Sequence, residues 1–141
     1  MVSERTRTTI AVIVVAVVAL LGAACSANGD GAITKAASDA ATAATSSRQC
    51  LQLLADDRTT VAQAKTLLAD MQSQVSDALA ALDGMDPSEP RHRADVRAAV
   101  DRVATLIAAA RVDVEAPPPS LLDDLAGAAD DLAVLAEGGG R

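Results

Sequence analysis

Three side chains that together can perform hydrolysis lie at helical spacing near the middle of the chain. Ser88, His92 and Asp95 are separated by four and three residues, which places them along one side of a helix. A serine hydrolase needs its histidine between the nucleophile and the acid, with oxyanion donors in a cleft. The first turn of a helix on a domain of about ninety residues provides no such cleft. We therefore interpret Ser88 as a helix cap and His92 as a solvated residue, and we predict no catalytic residue.

Paired aspartates are a second feature that suggests chemistry, because carboxylates bind calcium. They occur at Asp56-Asp57, Asp123-Asp124 and Asp130-Asp131. None of the pairs lies in a loop with a central glycine and a closing glutamate, and Asp123 and Asp130 would be about 10.5 Å apart along a helix. With one histidine in the chain, zinc and haem sites also lack their usual ligands. The sequence predicts solvated acidic faces, with no metal and no cofactor.

Two cysteines, Cys25 and Cys50, are the only thiols in the chain, and Cys25 follows an unusual N-terminal region. Residues 1–9 are polar and include Arg5 and Arg7, whereas residues 10–24 are uncharged and apolar and end in small side chains. This order of segments is typical of a secretory signal peptide. The fifteen-residue apolar run is shorter than the ~20 residues that a permanent membrane helix needs.

The segment Leu20-Leu21-Gly22-Ala23-Ala24-Cys25 resembles the lipobox of bacterial lipoproteins, in which the cysteine is acylated and becomes the new N-terminus. The resemblance covers the first 25 residues only, and it departs from the commonest pattern because Leu21 lies four residues before the cysteine. It implies a signal peptide over residues 1–24, cleavage between Ala24 and Cys25, and fatty acids such as palmitate on Cys25. The composition, with ten arginines against two lysines, resembles that of actinobacterial proteins.

Three alternatives to acylation follow from the same residues. Cleavage at a neighbouring site, after Ser26 or Ala27, would give a secreted protein without lipid. An uncleaved N-terminus would give a single membrane-spanning anchor. A free thiol on Cys25 could form a disulfide with Cys50 in an oxidising compartment. If Cys25 is acylated, Cys50 is most simply a small buried core residue.

The mature chain begins with a segment that offers few large side chains for packing. Residues 26–47 are almost all Ala, Ser, Thr, Gly and Asp, and Ile33 is the one large aliphatic residue among them. We expect residues 25–47 to form a flexible tether that spans about 25 Å. The alternative is that residues 32–48 extend the next helix, because alanine has the highest helix propensity.

Apolar residues at intervals of three and four predict three helices in residues 48–137. The first runs from about Ser47 to Asp83, with a bend or restart near Asp57 where Thr60 to Gln63 have the spacing of a capping box, and Gly84 ends it. The second runs from Ser88 to Val112, and the third begins with Ser120 as its N-cap. The predicted core positions are Val61, Ala64, Leu68, Met71, Val75, Ala78, Leu82, Val96, Val100, Val103, Ile107, Ala110, Leu121, Leu125, Ala128, Leu132 and Leu135.

These elements predict an all-α fold, an antiparallel three-helix bundle after an N-terminal signal helix, with a fourth helix if the alanine-rich segment folds back. Residues 138–141 are predicted to be a disordered tail. Arginines on the middle helix and aspartates on the last favour pairing of these two helices within one chain, although the heptad-like spacing also permits a coiled coil between chains.

Charge and composition limit the functions that this domain can have. From Cys25 onward the chain carries 10 basic and 18 acidic residues, which disfavours nucleic acid and anionic lipid as electrostatic partners. The absence of Phe, Tyr and Trp removes stacking surfaces for bases and sugars. We predict a non-enzymatic module of the cell envelope, attached to the membrane through its N-terminal lipid and facing a protein partner there. A carrier of a small ligand or lipid is the second hypothesis.

Overall fold

The computed structural model describes residues 29–85 and 90–138, which form four α-helices without a strand in either range. The helices are α1 (Gly29–Ala55), α2 (Val61–Asp83), α3 (Pro90–Val112) and α4 (Pro119–Gly138). The prediction of an all-α fold is confirmed. The predicted signal helix over residues 1–24 lies outside the described residues, as do residues 139–141 of the predicted tail. Gly138 is the last residue of α4.

The predicted tether is wrong over residues 29–47, because these residues form the first part of α1. Its alternative, a helix through the alanine-rich segment, is correct. Ile33 is 2% exposed, and the alanines between it and Leu51 on the inner face are fully or almost fully buried. The buried set repeats every seven residues: Ile33, Ala36 and Ala37, then Ala40, Ala43 and Ala44, then Ser47, Cys50 and Leu51. Small side chains at regular heptad positions therefore replace the large aliphatic stripe of an ordinary bundle helix.

Close packing of α1 determines the arrangement of the bundle. Helix α1 contacts α2, α3 and α4, and every pair of the four helices is in contact except α2 and α4. Helices with alanine at the contact can approach to the short end of the usual 8–10 Å range of interaxial distances. The methyl groups of α1 thus allow it to reach α3 across the bundle as well as its two neighbours. The observed bundle has four helices, and not three, because the alanine-rich segment packs inside it.

Neighbouring helices run in opposite directions. Ala32 near the start of α1 and Met85 just after α2 line one groove, and Gln49 near the end of α1 and Gln63 near the start of α2 line another. Because the connections to α3 and α4 are also short, the direction of the chain alternates in these helices as well. The start of α1, the end of α2, the start of α3 and the end of α4 therefore form one end of the bundle, here named the lower end. The α1–α2 and α3–α4 connections form the upper end.

A turn between α1 and α2 interrupts the helix near Asp57, where the sequence predicted a bend or restart. The N–H of Arg58 donates to the carbonyl of Leu53 at 2.8 Å, and the N–H of Asp57 donates to that of Leu54 at 3.1 Å. This pattern is the Schellman motif, and Asp57, with φ of 55°, occupies the left-handed position where glycine is usual. The predicted capping box is confirmed, because the Gln63 N–H donates to the Thr60 hydroxyl oxygen and the Thr60 N–H donates to the Gln63 side-chain oxygen.

The start of the last helix differs from the sequence-based prediction, and the start of the helix before it is only partly described. Helix α4 begins at Pro119, so Ser120 lies inside its first turn and is not the N-cap that we predicted. Proline is favoured at the first helical position because its φ is already helical and it has no N–H to satisfy. Helix α3 begins at Pro90, and the predicted cap Ser88 lies outside the described residues. Gly84 is the C-cap of α2, as predicted.

The predicted core of the last three helices is confirmed with few exceptions. The buried members are Ala64, Leu68, Val75, Ala78, Leu82, Val96, Val100, Val103, Ile107, Ala110, Leu121, Leu125, Ala128 and Leu132. Val61, Met71 and Leu135 are partly buried and pack against this cluster. The structure adds Val114, which is buried in the α3–α4 connection and closes the upper end of the core.

Leucine at position 40 should destabilise the bundle, because Ala40 is fully buried on the face of α1. We expect Ala40→Leu to lower the free energy of unfolding by about 2 kcal/mol, through overpacking between α1 and its neighbours. The matched control is Thr45→Leu on the exposed face, with an expected effect within about 0.5 kcal/mol. Urea denaturation followed by circular dichroism gives both values. Equal stabilities for the two variants would contradict the observed packing of α1.

Glycine at position 57 should stabilise the turn between α1 and α2. Asp57→Gly removes the steric cost of a side chain in the left-handed region, and we expect a gain of about 1 kcal/mol in the free energy of unfolding. Asp57→Ala removes the same carboxylate but keeps Cβ, so it should give no gain. The same denaturation experiment distinguishes the backbone effect from a charge effect, since a charge effect would stabilise both variants.

Candidate functional site

The candidate hydrolase residues His92 and Asp95 do not form a catalytic group in the part of the chain that the structure describes. His92 is half-buried in the first turn of α3, and its Nε2 atom has no hydrogen-bond partner among the described residues. Asp95 is exposed on the next turn, and no hydrogen bond joins the two side chains. Ser88 lies outside the described residues. The prediction that His92 is a solvated first-turn residue is therefore wrong for its Nε2 atom, which is buried.

The acidic pairs on α4 contact an arginine instead of forming an isolated acidic face. Arg102 of α3 lies 3.3 Å from Asp131 and 3.9 Å from Asp124, measured between guanidinium nitrogens and carboxylate oxygens. These contacts confirm the predicted pairing of α3 with α4 within one chain. All three side chains are about half exposed, so each ion pair contributes only ~0 to 1 kcal/mol. Among the described residues, no group of three His, Cys, Asp or Glu side chains is close enough to hold a metal ion.

Two further arginines of α3 contact the end of α2 and not α4. Arg97 donates to Asp83 at 2.7 Å, and this hydrogen bond holds the pKa of Asp83 below its usual range. Arg93 donates to the carbonyl of Met85 at 2.8 Å and so binds the chain just after α2. The basic residues near the start of α3 therefore join two helices at the lower end. The sequence analysis predicted that these arginines pair with the aspartates of α4, because it considered the charge of whole helices and not the register between α2 and α3.

Cys50 is a buried core residue, as predicted. Its side chain lies between α1 and α2, and its thiol is 3.9 Å from the carbonyl oxygen of Ala64, the acceptor of a weak S–H hydrogen bond. Burial raises the pKa of the Cys50 thiol, because desolvation disfavours the thiolate. The thiolate is the reactive form of cysteine, so this residue is poorly suited to nucleophilic or redox chemistry in the folded chain.

Grooves in the described part of the chain follow both sides of the exposed face of α1. One groove, of about 620 Å³, separates α1 from α2 and is lined by Lys35, Asp39, Thr42, Asp77 and Met85 among others. A second, of about 480 Å³, lies between α1 and α4. Both arise because α1 carries alanine, serine and threonine where bulkier residues would fill the space to its neighbours. Both open to solvent, and their acidic rims extend the negative charge of the domain.

Ser47 is a feature that the sequence analysis missed, because that analysis placed it at the boundary of the tether. The residue is fully buried on the inner face of α1, and its hydroxyl has no partner among the described residues. An unpaired buried hydroxyl costs about 1 to 3 kcal/mol. The signal that could have found it is the seven-residue repeat of small residues, in which Ser47 continues the register of Ile33 and Ala40.

Comparisons with known proteins found no matching family model, curated protein or solved structure. Within residues 29–85 and 90–138, no helix is both long and apolar enough to cross a bilayer. Cys25 and Ala24, which carry the predicted acylation and cleavage site, lie outside these ranges.

Alkylation should report the burial of the Cys50 thiol. In the Cys25→Ser variant, where Cys50 is the only thiol, we expect iodoacetamide to react at least about tenfold more slowly than with the unfolded chain. The matched control replaces Cys50 with alanine and Thr45 with cysteine in the same background, which puts the thiol on the exposed face of α1. Similar rates for the two folded proteins would show that the Cys50 environment is open.

Proposed function

We propose that this chain is an extracytoplasmic lipoprotein and that its helical bundle is a non-enzymatic interaction or structural module of the cell envelope. Residues 1–24 direct export, signal cleavage falls between Ala24 and Cys25, and Cys25 carries the lipid. The lipobox-like segment is the basis of this proposal. Its support from the structure is the position at which α1 begins.

The start of α1 argues against a disulfide between Cys25 and Cys50 within one chain. Cys50 lies 21 residues beyond Gly29 on the same helix, which is about 32 Å at 1.5 Å per residue. Four Cα–Cα steps separate Cys25 from Gly29, and an extended chain of that length spans at most about 14 Å. The two Cα atoms are thus at least about 18 Å apart, whereas a disulfide needs about 4.4 to 6.8 Å.

Acylation gives the Cys25 sulfur a covalent partner that the folded chain cannot supply. Of the alternatives weighed on the sequence, the intramolecular disulfide is the one that this geometry removes. Cleavage after Ser26 or Ala27 would also leave no thiol to pair, because it discards Cys25. The acidic domain, with 10 basic against 18 acidic residues from Cys25 onward, has no electrostatic means of staying at an anionic membrane. A lipid on the N-terminus would provide the attachment.

The interior of the bundle supports an interaction module over a carrier. The space between the helices is filled by Leu, Val, Ile and the methyl groups of α1, and the grooves beside α1 lie on the surface. A lipid or small-ligand carrier needs space between the helices to enclose its cargo. A solid, alanine-packed bundle instead presents helix faces and polar connections, which are the surfaces available to another envelope protein.

Intact mass of the membrane-fraction protein tests the proposal. In a bacterial host that processes lipoproteins, we expect a mature chain that begins at Cys25 and carries additional acyl mass. Cys25→Ser should remove the acyl mass and release the protein from the membrane fraction. Cys50→Ala, the matched control, should keep both the acyl mass and the membrane attachment.

Each other outcome identifies an alternative. An unacylated chain that begins after Ser26 or Ala27 would indicate plain secretion, and an uncleaved precursor would indicate a single-pass anchor. Acyl mass that persists in Cys25→Ser would move the lipid to another residue. Any of these results would overturn the assignment of Cys25 as the anchor.

A further inference from the structure

We infer that the two grooves beside α1, with the exposed face of α1 between them, form a docking surface for a basic amphipathic helix of another protein. This inference rests on the proposed interaction module of the cell envelope, and it adds to that module a surface and the chemistry of a partner. The inner face of α1 contacts α2, α3 and α4. Ser38, Thr42 and Thr45, on its outer face, are exposed.

The shape of the two grooves suits a further helix. Ser38, Thr42 and Ser46 lie four residues apart and form a ridge of small side chains along α1. Ser38 and Thr42 line both the groove of about 620 Å³ on the α2 side and the groove of about 480 Å³ on the α4 side. Helices pack by placing the ridges of one into the grooves of the other. Along α1 the grooves extend from Ala32 to Ser46, which is about 21 Å of helix.

The threonines of this face keep their hydrogen bonds when water is excluded. The hydroxyl of Thr42 donates to the carbonyl of Ser38 at 2.9 Å, and the hydroxyl of Thr45 donates to the carbonyl of Ala41 at 2.9 Å. A docked helix therefore leaves neither hydroxyl donor unsatisfied, and covering them costs little. The groove on the α2 side is also lined by apolar side chains, namely Ala32, Ala36, Ala78, Ala81 and Met85. Aliphatic side chains of a partner can fill this groove.

The charges beside the grooves select a basic partner. Asp39 and Asp77 line the groove on the α2 side, and Asp130 and Glu137 line the groove on the α4 side. Lys35 is the one cation that lines either groove, and it is bonded to Asp39. Asp77 and Asp130 have no ion-pair partner among the described residues. Lysine or arginine on both flanks of a docked helix would pair with these carboxylates, whereas a second copy of α1 would bring like charges together.

Peptide binding tests this docking surface on the Cys25→Ser chain, which carries no acyl group, so the result does not depend on the lipid anchor. The probe is a fluorescent helical peptide of about 18 residues, or about 27 Å, with leucine along one face and lysine on both flanks. Its affinity is measured by fluorescence anisotropy. Thr42→Arg places a long cationic side chain on the ridge and should weaken binding at least about tenfold.

The matched control is Thr105→Arg, on the exposed face of α3. The hydroxyl of Thr105 also donates to the carbonyl four residues before it, but the residue lines neither groove. This control adds the same side chain and the same charge to the protein as Thr42→Arg. It should change the affinity by less than about twofold. Circular dichroism of both variants checks that the bundle remains folded.

A double variant tests the carboxylates beside the grooves. Asp77→Asn combined with Asp130→Asn should weaken binding of the lysine peptide by about threefold to tenfold, because two exposed ion pairs are lost. Asp113→Asn combined with Glu115→Gln removes the same net charge at the upper end, where neither groove reaches, and should have little effect.

Three results would overturn the docking surface. The first is no binding of the lysine peptide. The second is an equal loss of affinity in Thr42→Arg and Thr105→Arg, which would mean that the peptide responds only to the overall negative charge. The third is a chain that is dimeric by light scattering and becomes monomeric in Thr42→Arg, which would assign this face to a second copy. None of them bears on the acylation of Cys25, which intact mass tests separately.

Discussion

The close approach of α1 to three other helices is the packing constraint on which this fold depends. Large side chains on the inner face of α1 would hold it away from α3, and the contact across the bundle would be lost. The alanines at the middle of the inner face of α1 are fully buried, and the larger Ile33 and Leu51 are buried nearer its two ends. Helices α2 and α4, which carry leucines on their inner faces, have no Cα atoms within 8 Å of each other. Of the two pairs of helices that face each other across the bundle, α1 and α3 are therefore closer together than α2 and α4.

The sequence predicted the helices that bury leucine and valine and missed the one that buries alanine. Val96, Val100, Val103 and Ile107 mark the inner face of α3 by their intervals of three and four, and Leu106 and Val112 are the only other large apolar residues on that helix. On α1, alanine occurs on inner and outer positions alike, so hydrophobicity alone does not identify a face. The buried face of α1 is indicated by the seven-residue repeat of small residues and by the polar residues between them. This repeat identifies the buried face only once a neighbouring helix is known to pack closely against it.

The candidate sites also divide into those that sequence spacing predicted and those that it did not. Burial of Cys50 and the pairing of Arg102 with the aspartates of α4 follow from sequence spacing, because both depend on positions within regular helices. The partners of Arg93 and Arg97 depend on the register between α2 and α3, which composition does not reveal. The same is true of the two thiols. The sequence left a disulfide between Cys25 and Cys50 open, and the helix from Gly29 to Cys50 is what argues against it.

The alanine face of α1 also has a thermodynamic consequence. The heat-capacity change of unfolding scales with the apolar area that becomes exposed, and its size sets how sharply stability curves with temperature. A helix that buries methyl groups exposes less apolar area on unfolding than one that buries leucine. For its number of helices, this bundle should therefore have a shallow stability curve. Its free energy of unfolding would therefore change little with temperature.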